Sequence, residues 1–206
     1  MSFIAVPSSK PPPYLVADHL ALDFLNSICA PTGEMIDWLD TGEEALNWLI
    51  ESQAVEKSDV EHLQAPEFSQ LLNKTADTLK KYREDLRIKL LSRKQEDLDA
   101  IILDLNSILE KDTLYYSIQN GETSAGKSLN IRREYVSPDQ LILPIAHAVA
   151  DLICNQNYDR IRNCDGPTCT IEFLDTSKNG KRRWCSMQVC GNRAKASAHR
   201  QRAKTS

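Results

Sequence analysis

Residues 164–193 read CDGPTCTIEFLDTSKNGKRRWCSMQVCGNR and contain four of the six cysteines of the chain. Cys164 and Cys169 form one C-x4-C pair, and Cys185 and Cys190 form a second pair after a spacer of fifteen residues. Two short cysteine loops joined by a spacer of hairpin length can supply the four soft ligands of a tetrahedral zinc site. The pattern predicts one structural Zn²⁺, because four thiolates leave no coordination position for a catalytic water. The alternative is a set of unrelated thiols.

The other two cysteines and the nearest histidine are not expected to join this site. Cys29 and Cys154 lie in apolar helical patterns, which predict buried and unreactive thiols. His199 follows Cys190 by nine residues on a predicted helix. That separation corresponds to roughly 13 Å at a rise of 1.5 Å per residue, which is too far for one metal.

Charge is distributed unevenly along the chain. Residues 160–206 contain eleven Lys and Arg against three Asp and Glu, a net charge of +8, so the first 159 residues carry −12 of the total of −4. An acidic body with a basic module is expected when only one part of a protein faces nucleic acid. The overall acidity therefore does not exclude a DNA-binding function.

Basic and amide side chains cluster around the second cysteine pair and on a helix predicted to start near Met187, with Ser186 as its cap. Asn192 and Arg193 carry the donors that adenine and guanine edges accept, although both could equally hold a phosphate. The alternative to DNA binding is a solvated basic face. The predicted DNA-binding residues are Arg182, Arg183, Asn192, Arg193, Lys195, Arg200, Arg202 and Lys204.

The first 155 residues have mainly helical patterns. Asp18 could cap a helix within DHLALDFLNSIC (18–29), and Thr41 with Glu44 three residues later forms a capping-box pattern. Apolar residues at steps of three and four from Phe68 to Leu90, and again from Leu98 to Leu109, predict an antiparallel helical hairpin with a turn between residues 92 and 96.

Three further elements are predicted. Residues 113–119 and 128–136 are rich in β-branched and aromatic residues and favour a β-hairpin. Residues 140–154 predict a buried helix. Pro144 either kinks this helix or marks a later start for it. Residues 170–184 predict a second hairpin with its turn at Asn179 and Gly180.

These patterns predict a mostly α fold of the α+β class. A helical domain with one β-hairpin is expected over residues 1–155, followed by a four-cysteine zinc finger, built of a hairpin and a helix, over residues 156–206. The sequence has no apolar run approaching eighteen residues and its N-terminal apolar patch is too short for a signal peptide. The chain is therefore expected in the cytoplasm, without membrane contact.

Residues Gly121–Ser128 match the P-loop pattern G-x-x-x-x-G-K-S letter for letter. A P-loop also needs a helix immediately afterwards, whose N-terminus holds the phosphates. The segment that follows is strand-like, so a flexible hairpin loop is favoured over nucleotide binding, and no enzymatic activity is expected.

Residues 184–202, WCSMQVCGNRAKASAHRQR, resemble the C-terminal signature of the bacterial CGNR zinc-finger family, named for the tetrapeptide Cys190–Arg193. The first cysteine pair, Phe173 and Asp175 also fit that pattern. Upstream, ALDFLNS (21–27) and YREDLRIKL (82–90) are similar to the ABATE-type helical domain. The resemblance implies a stress-responsive transcription regulator in which a sensor-like helical domain is joined to a DNA-binding finger.

The resemblance also suggests that the helical domain receives a signal. Asn26 is a lone amide on an apolar helix, and Arg83 and Arg87 lie four residues apart on the long helix, where they could bind an anionic small-molecule effector. The alternative is a surface network with nearby acids. A single finger offers few base contacts, which favours a symmetric homodimer. The main competing function is a finger that binds protein or RNA without operator specificity.

Overall fold

A computed structural model of the protein describes residues 10–30, 33–121 and 126–205, and within them all side chains except those of residues 198, 199 and 202–205. The helices are α1 (Leu20–Leu25), α2 (Gly42–Glu51), α3 (Lys57–Val60), α4 (Ser69–Ser92), α5 (Gln95–Leu109), α6 (Leu143–Asn155) and α7 (Asn192–Thr205). The strands are β1 (Ile28–Cys29), β2 (Ile36–Asp37), β3 (Leu114–Asn120), β4 (Lys127–Arg133), β5 (Ile161–Asn163) and β6 (Glu172–Leu174). They pair antiparallel as β1–β2, β3–β4 and β5–β6.

The long helices α4 and α5 form the predicted antiparallel hairpin, and α4 buries one side along its whole length. Arg93 follows α4 in the left-handed region, with φ of 56°, and Lys94 then leads into α5. A left-handed residue is a common way to end a helix, and here it turns the chain back on itself. The buried apolar residues of α4 are Leu72, Ala76, Leu79, Leu86 and Leu90.

Helix α2 begins with the predicted capping box, in which Thr41 accepts from the amide of Glu44 and Glu44 accepts from the amide of Thr41. The helix then packs closely on α4. A Cβ atom at Gly42 would lie 2.4 Å from the carbonyl carbon of Leu72, so only glycine allows this approach. The Gly42 amide donates to Oδ1 of Asn73 at 2.8 Å, which joins the start of α2 to α4.

Helix α1 differs from the prediction at both ends. His19, not Asp18, caps it through Nδ1, which accepts from the amide of Ala21 at 3.3 Å. Asp18 instead lies at φ of 57° and pairs with the finger. The helix ends at Leu25, because the chain turns into the short strand β1.

The central hairpin and the buried helix follow the predicted pattern. Strands β3 and β4 pair over seven residues each. Ser137 and Gln140 form a capping box that opens a 3₁₀ turn over Pro138–Ile142, and α6 then starts at Leu143. Pro144 lies in the first turn of α6, where its missing amide proton costs no hydrogen bond.

The P-loop-like segment lies at the tip of the β3–β4 hairpin. The amide of Gly121 donates to the carbonyl of Gly126 at 3.3 Å, while residues 122–125 lie outside the described part of the chain. Strand β4 starts directly at Lys127, where a P-loop would require a helix.

The prediction of a hairpin within residues 170–184 is wrong. Strand β6 pairs instead with β5, which lies before the first cysteine loop in the chain. A turn does form before Gly180, whose φ is 62°. The segment after β6 does not return as a strand, because it wraps around the buried carboxylate of Asp175. That carboxylate accepts from the amides of Ser177 and Arg182, both at 2.9 Å.

The finger and the helices share one continuous core, in which Phe24, Trp48 and Phe173 are fully or almost fully buried. Cys29 is buried as expected, although on a strand and not on a helix. The expectation for Cys154 is wrong, because its side chain is exposed at the end of α6. Among the described residues, the helices are too short or too polar to cross a membrane.

Candidate metal centre and its surroundings

The four predicted cysteine ligands converge on one point. One sulfur atom from each of Cys164, Cys169, Cys185 and Cys190 lies within 4.8 Å of the other three. Sγ of Cys185 is 3.8 Å from Sγ of Cys169 and 3.7 Å from Sγ of Cys190. A tetrahedral site with Zn–S bonds of about 2.3 Å has S–S edges of about 3.8 Å. The cluster therefore has the dimensions of a four-thiolate zinc site.

Local structure positions both pairs. Cys164 directly follows β5, and Cys169 closes a loop that leads into β6, so the first pair lies at the end of a β-hairpin. A Cβ atom at Gly166 would come within 2.9 Å of Cβ of Cys169 and 3.3 Å of Sγ of Cys190. Glycine at this position lets the loop fold directly over the sulfur atoms.

The second pair is held at the start of the C-terminal helix. Ser186 caps a π turn over Met187–Gly191, with its hydroxyl accepting from the amide of Val189, and α7 continues from that turn. The amide of Cys185 donates to Sγ of Cys164 at 3.3 Å. This bond joins the two cysteine pairs.

The crowding of the thiols makes a cation necessary for their full ionisation. A hydrogen bond from the Cys185 thiol lowers the pKa of Cys169 to about 5. The same bond and burial raise the pKa of Cys185, while burial and the nearby Cys169 thiolate raise the pKa of Cys190 to about 12. Without a metal, ionisation of one cysteine opposes ionisation of its neighbours. A divalent ion at the centre would stabilise all four thiolates together.

A small helical domain joined to a closed four-cysteine centre defines a zinc-finger protein. The profile of the CGNR zinc finger matches residues 160–203, and the ABATE profile, described as "Putative stress-induced transcription regulator", matches residues 18–156. The chain belongs to the ABATE family and carries a C-terminal CGNR zinc finger, whose four cysteines form the site of one structural Zn²⁺. Neither description names an enzymatic activity. A search of curated proteins finds no match.

Asn26 connects α1 to the finger. Its side chain is buried and donates to the carbonyl of Glu172 at 2.7 Å, and its Oδ1 accepts from the amide of Glu172 at 3.0 Å. The Asn26 side chain thus bonds both backbone polar groups of Glu172, as a strand paired with β6 would. The lone amide noted in the sequence has its partner within the chain, 146 residues away.

Arg83 and Arg87 also face internal partners. Arg83 donates from two guanidinium nitrogens to the two carboxylate oxygens of Asp37, at 2.8 and 2.7 Å, and to the hydroxyl of Ser27 at 2.9 Å. Arg87 donates to the carbonyl of Leu25, and its Nη1 lies 3.5 Å from Oε2 of Glu172. Both arginines also pair with the neighbouring Glu84, as the alternative of a network with nearby acids expected. Arg87 therefore lies at the contact between α1 and the finger, whereas Arg83, one turn earlier on α4, binds Ser27 and Asp37 within the helical domain.

Glu172 is the centre of this contact and was not predicted from the sequence. Burial raises the pKa of its carboxyl group, which Arg87 partly offsets, and Oε2 has no hydrogen-bond partner in the described part of the chain. The apolar residues of IEFL (171–174) indicate a buried strand, but they do not reveal which arginine or amide lies opposite Glu172. Tertiary structure alone places the carboxylate beside α4.

Arg182 and Arg183 have different surroundings although they are adjacent. Arg182 packs over the ring of Phe173, pairs with Asp18 and donates to the carbonyl of Trp184 at 2.9 Å. Arg183 is largely exposed, with Nε donating to Asp165 at 2.7 Å and its guanidinium over the Trp184 ring. Arg182 thus links the finger to the segment before α1, whereas Arg183 faces solvent.

The remaining predicted DNA-binding residues lie on α7. Asn192, Lys195 and Arg200 are exposed, and Arg193 is half-buried. The side chains of Arg202 and Lys204 lie outside the described residues, as does that of His199. Within the described part of the chain, α7 has extensive contact only with the π turn that precedes it. The helix therefore projects from the metal centre.

Asp23 holds the segment before α1 against the finger and gives a test of this contact. Its Oδ1 accepts from the amide of Ala17 at 3.0 Å, and the carbonyl of Ala17 accepts from the amide of Leu174 at 2.9 Å. Burial raises the pKa of Asp23 to about 6, from about 3.9 in an unfolded chain. The folded state therefore favours the protonated acid, and this stabilisation is complete below pH 4 and lost as the pH rises through 6.

Asp23→Asn is expected to raise the free energy of unfolding by about 3 kcal/mol at pH 8 and to change it little at pH 4, because the amide keeps the acceptor without the charge. Urea unfolding at the two pH values measures this. The control is Asp77→Asn, at an exposed surface position. It should change the free energy of unfolding by less than about 0.5 kcal/mol at both pH values. An equal effect of Asp23→Asn at pH 4 and pH 8 would contradict the assignment.

Proposed function

We propose that the protein is a zinc-dependent transcription regulator, in which residues 156–206 bind double-stranded DNA and residues 1–155 receive a stress signal in the cytoplasm. The observation that carries the DNA-binding proposal is the nature of α7. The segment from Asn192 to the C-terminus contains five Lys and Arg and no acid. A helix with this composition, which projects from the protein, is suited to a polyanion.

The zinc centre supports this role by fixing where the helix starts. Cys190 lies in the π turn that runs directly into α7, so the metal holds the first residues of the helix in place. Asn192 and Lys195 are exposed near this end, where they could contact base edges or phosphates. Zinc-dependent binding follows, since loss of the metal would release the helix from its support.

The eight predicted DNA-binding residues do not have equal support. Arg182 faces internal partners, so we assign it to holding the finger against residues 16–18. Arg183 has an exposed guanidinium near the metal centre, where it pairs with Asp165. We propose that it leaves Asp165 and contacts a DNA phosphate when the finger binds. The proposed contacts from α7 are those of Asn192, Arg193, Lys195, Arg200, Arg202 and Lys204.

Arg200→Ala is expected to weaken binding to all DNA sequences alike and to reduce the slope of log K against log salt by about 1, because a phosphate contact releases one counterion. Arg193→Ala is expected to cost about 1–3 kcal/mol and to relax the sequence preference, if Arg193 binds a base. Fluorescence anisotropy with duplexes enriched by in vitro selection on the zinc-loaded protein measures both.

The matched control is Lys94→Ala, which removes an exposed cation from the helical domain and should leave DNA affinity unchanged. Absence of any enriched duplex at physiological salt would overturn the DNA-binding proposal. Enrichment of RNA, or of no nucleic acid at all, would instead favour an RNA- or protein-binding finger.

The contact between α1, α4 and the finger supplies a route for the signal. Asn26 and Arg87 both engage Glu172 between the two cysteine pairs, and Asp18 engages Arg182 just before Cys185. We propose that Asn26 and Arg87 hold and position the finger, and that Arg83 fixes the adjoining residues Ser27 and Asp37. An effector of the helical domain would then act by shifting the contact between α1, α4 and the finger. Two operator half-sites would require two fingers, and so a homodimer.

A further inference from the structure

The β3–β4 hairpin presents one apolar face. Tyr116 pairs with Ile131 across the strands, and Ile118 pairs with Leu129. Directly opposed residues of an antiparallel pair point to the same side, so these four side chains and Leu114 lie together. All five are exposed, with Tyr116 at 72% and Ile118 at 73%.

This face is uncovered within the described part of the chain. The strands have extensive contact only with each other, and ion pairs from Arg132 to Asp59 and from Arg133 to Asp112 anchor the base of the hairpin. A two-stranded hairpin is only marginally stable in water and normally needs a third strand or a packing partner. A contiguous apolar patch of this kind marks an interaction site.

We propose that this face packs against the same face of a second copy of the chain and forms a symmetric homodimer. The five residues together expose roughly 600 Å², which matches the ~600 Å² that each partner contributes at the lower end of the range for stable interfaces. A twofold dimer uses the same patch on both subunits, so one apolar face on each chain is sufficient for such an interface. Nucleic acid does not fit it, because the centre of the face carries no basic side chain.

The register of the hairpin defines the centre of the proposed contact. The apolar face runs from Leu114 near the base of the hairpin to Ile118 and Leu129 towards its tip. Antiparallel stacking of two such hairpins centres Tyr116 and Ile131 on the twofold axis.

This homodimer would allow the proposed regulator to place two fingers on two operator half-sites. That role of the dimer rests on the proposed function. The interface itself does not require DNA. A dimer without DNA preference would support the interface and overturn the regulator, whereas a monomer that binds an operator would do the reverse.

Sedimentation velocity of the zinc-loaded full-length protein without DNA, from about 1 to 100 µM, tests the interface. The wild type is expected to be dimeric. Ile118→Asp is expected to weaken dimerisation by at least about 100-fold, because two charges would be buried in an apolar contact. The control is Ile88→Asp, the same substitution on α4 at 72% exposure, which should dimerise like the wild type.

A wild type that remains monomeric at about 100 µM would overturn the proposal, as would an Ile118→Asp variant that dimerises normally. Equal dissociation by Ile88→Asp would place the interface elsewhere and overturn it too. One zinc per chain and an unchanged circular dichroism spectrum establish that each variant is folded. Leu129→Asp, on the facing strand, is the second variant should Ile118→Asp fail this criterion.

Discussion

Cys185→Ser is expected to lose the zinc ion and to destabilise the whole chain, not the finger alone. Binding of a structural zinc contributes about 10–16 kcal/mol in isolated finger peptides. Here the metal-bound segment also supplies Ile171, Phe173 and Leu174 to the core that the helices share. We expect the free energy of unfolding to fall by at least about 5 kcal/mol and the melting temperature by about 10–20 °C.

Metal analysis and calorimetry measure this effect together. Wild-type protein should contain one zinc per chain, and a strong chelator should reproduce the loss of stability. Cys154→Ser is the matched control, since it removes an exposed thiol outside the cluster and should keep both the zinc and the melting temperature. Retention of a full zinc equivalent by Cys185→Ser would exclude the four-cysteine site.

Arg83→Ala is expected to cost about 3–5 kcal/mol of folding free energy, the usual cost of breaking a buried ion pair from one side. The Arg83 side chain is 2% exposed and binds both carboxylate oxygens of Asp37. Its removal leaves Asp37 and Ser27 without a major donor in a mostly buried site. An effector-binding arginine on the surface would be removed at little cost, so urea unfolding separates the two roles.

The double variant Arg83→Met with Asp37→Leu should lose less than Arg83→Ala alone, because no unpaired charge is then buried. The control Lys94→Ala removes an exposed surface cation. It should change the free energy of unfolding by less than about 0.5 kcal/mol. If Arg83→Ala were as mild as Lys94→Ala, Arg83 would not be a structural residue.

The same pair gives a dependence on pH. Burial alone would raise the pKa of Asp37, but the hydrogen bonds and charge of Arg83 lower it overall. The ion pair therefore stabilises the fold above the unfolded pKa of about 3.9 and loses this effect as the pH falls through the lower, folded value. The difference in stability between the wild type and Arg83→Ala should shrink in that acidic range.

Local sequence signals predicted the elements whose stabilising contacts are also local. The apolar spacing of α4 and α5, the Thr41 capping box and the two C-x4-C loops each involve residues a few positions apart, and each was found as predicted. The two errors in the elements have non-local causes. The strand β6 pairs with β5 across the first cysteine loop, and His19 caps α1 because Asp18 pairs with Arg182.

The tertiary structure decided the roles of the single polar residues. Asn26, Arg83 and Arg87 were candidates for an effector because an amide or guanidinium on an apolar helix needs a partner, and the sequence alone does not identify it. Both arginines pair locally with Glu84, but the partners that define their roles, and those of Asn26, lie between 46 and 146 residues away in the chain. For the same reason Arg182 and Arg183, neighbours in sequence, face opposite environments.

By itself, then, the sequence determined the four zinc ligands, the helical hairpin and the division between an acidic body and a basic module. Cysteine spacing, helical periodicity and net charge are properties of short segments or of totals, so they can be read without coordinates. Only the tertiary structure decided that the finger shares the helical core, that Glu172 meets Asn26 and Arg87, and that the apolar side of the β3–β4 hairpin is uncovered. These facts depend on which distant surfaces become neighbours, because burial and desolvation act between segments that the linear order does not connect.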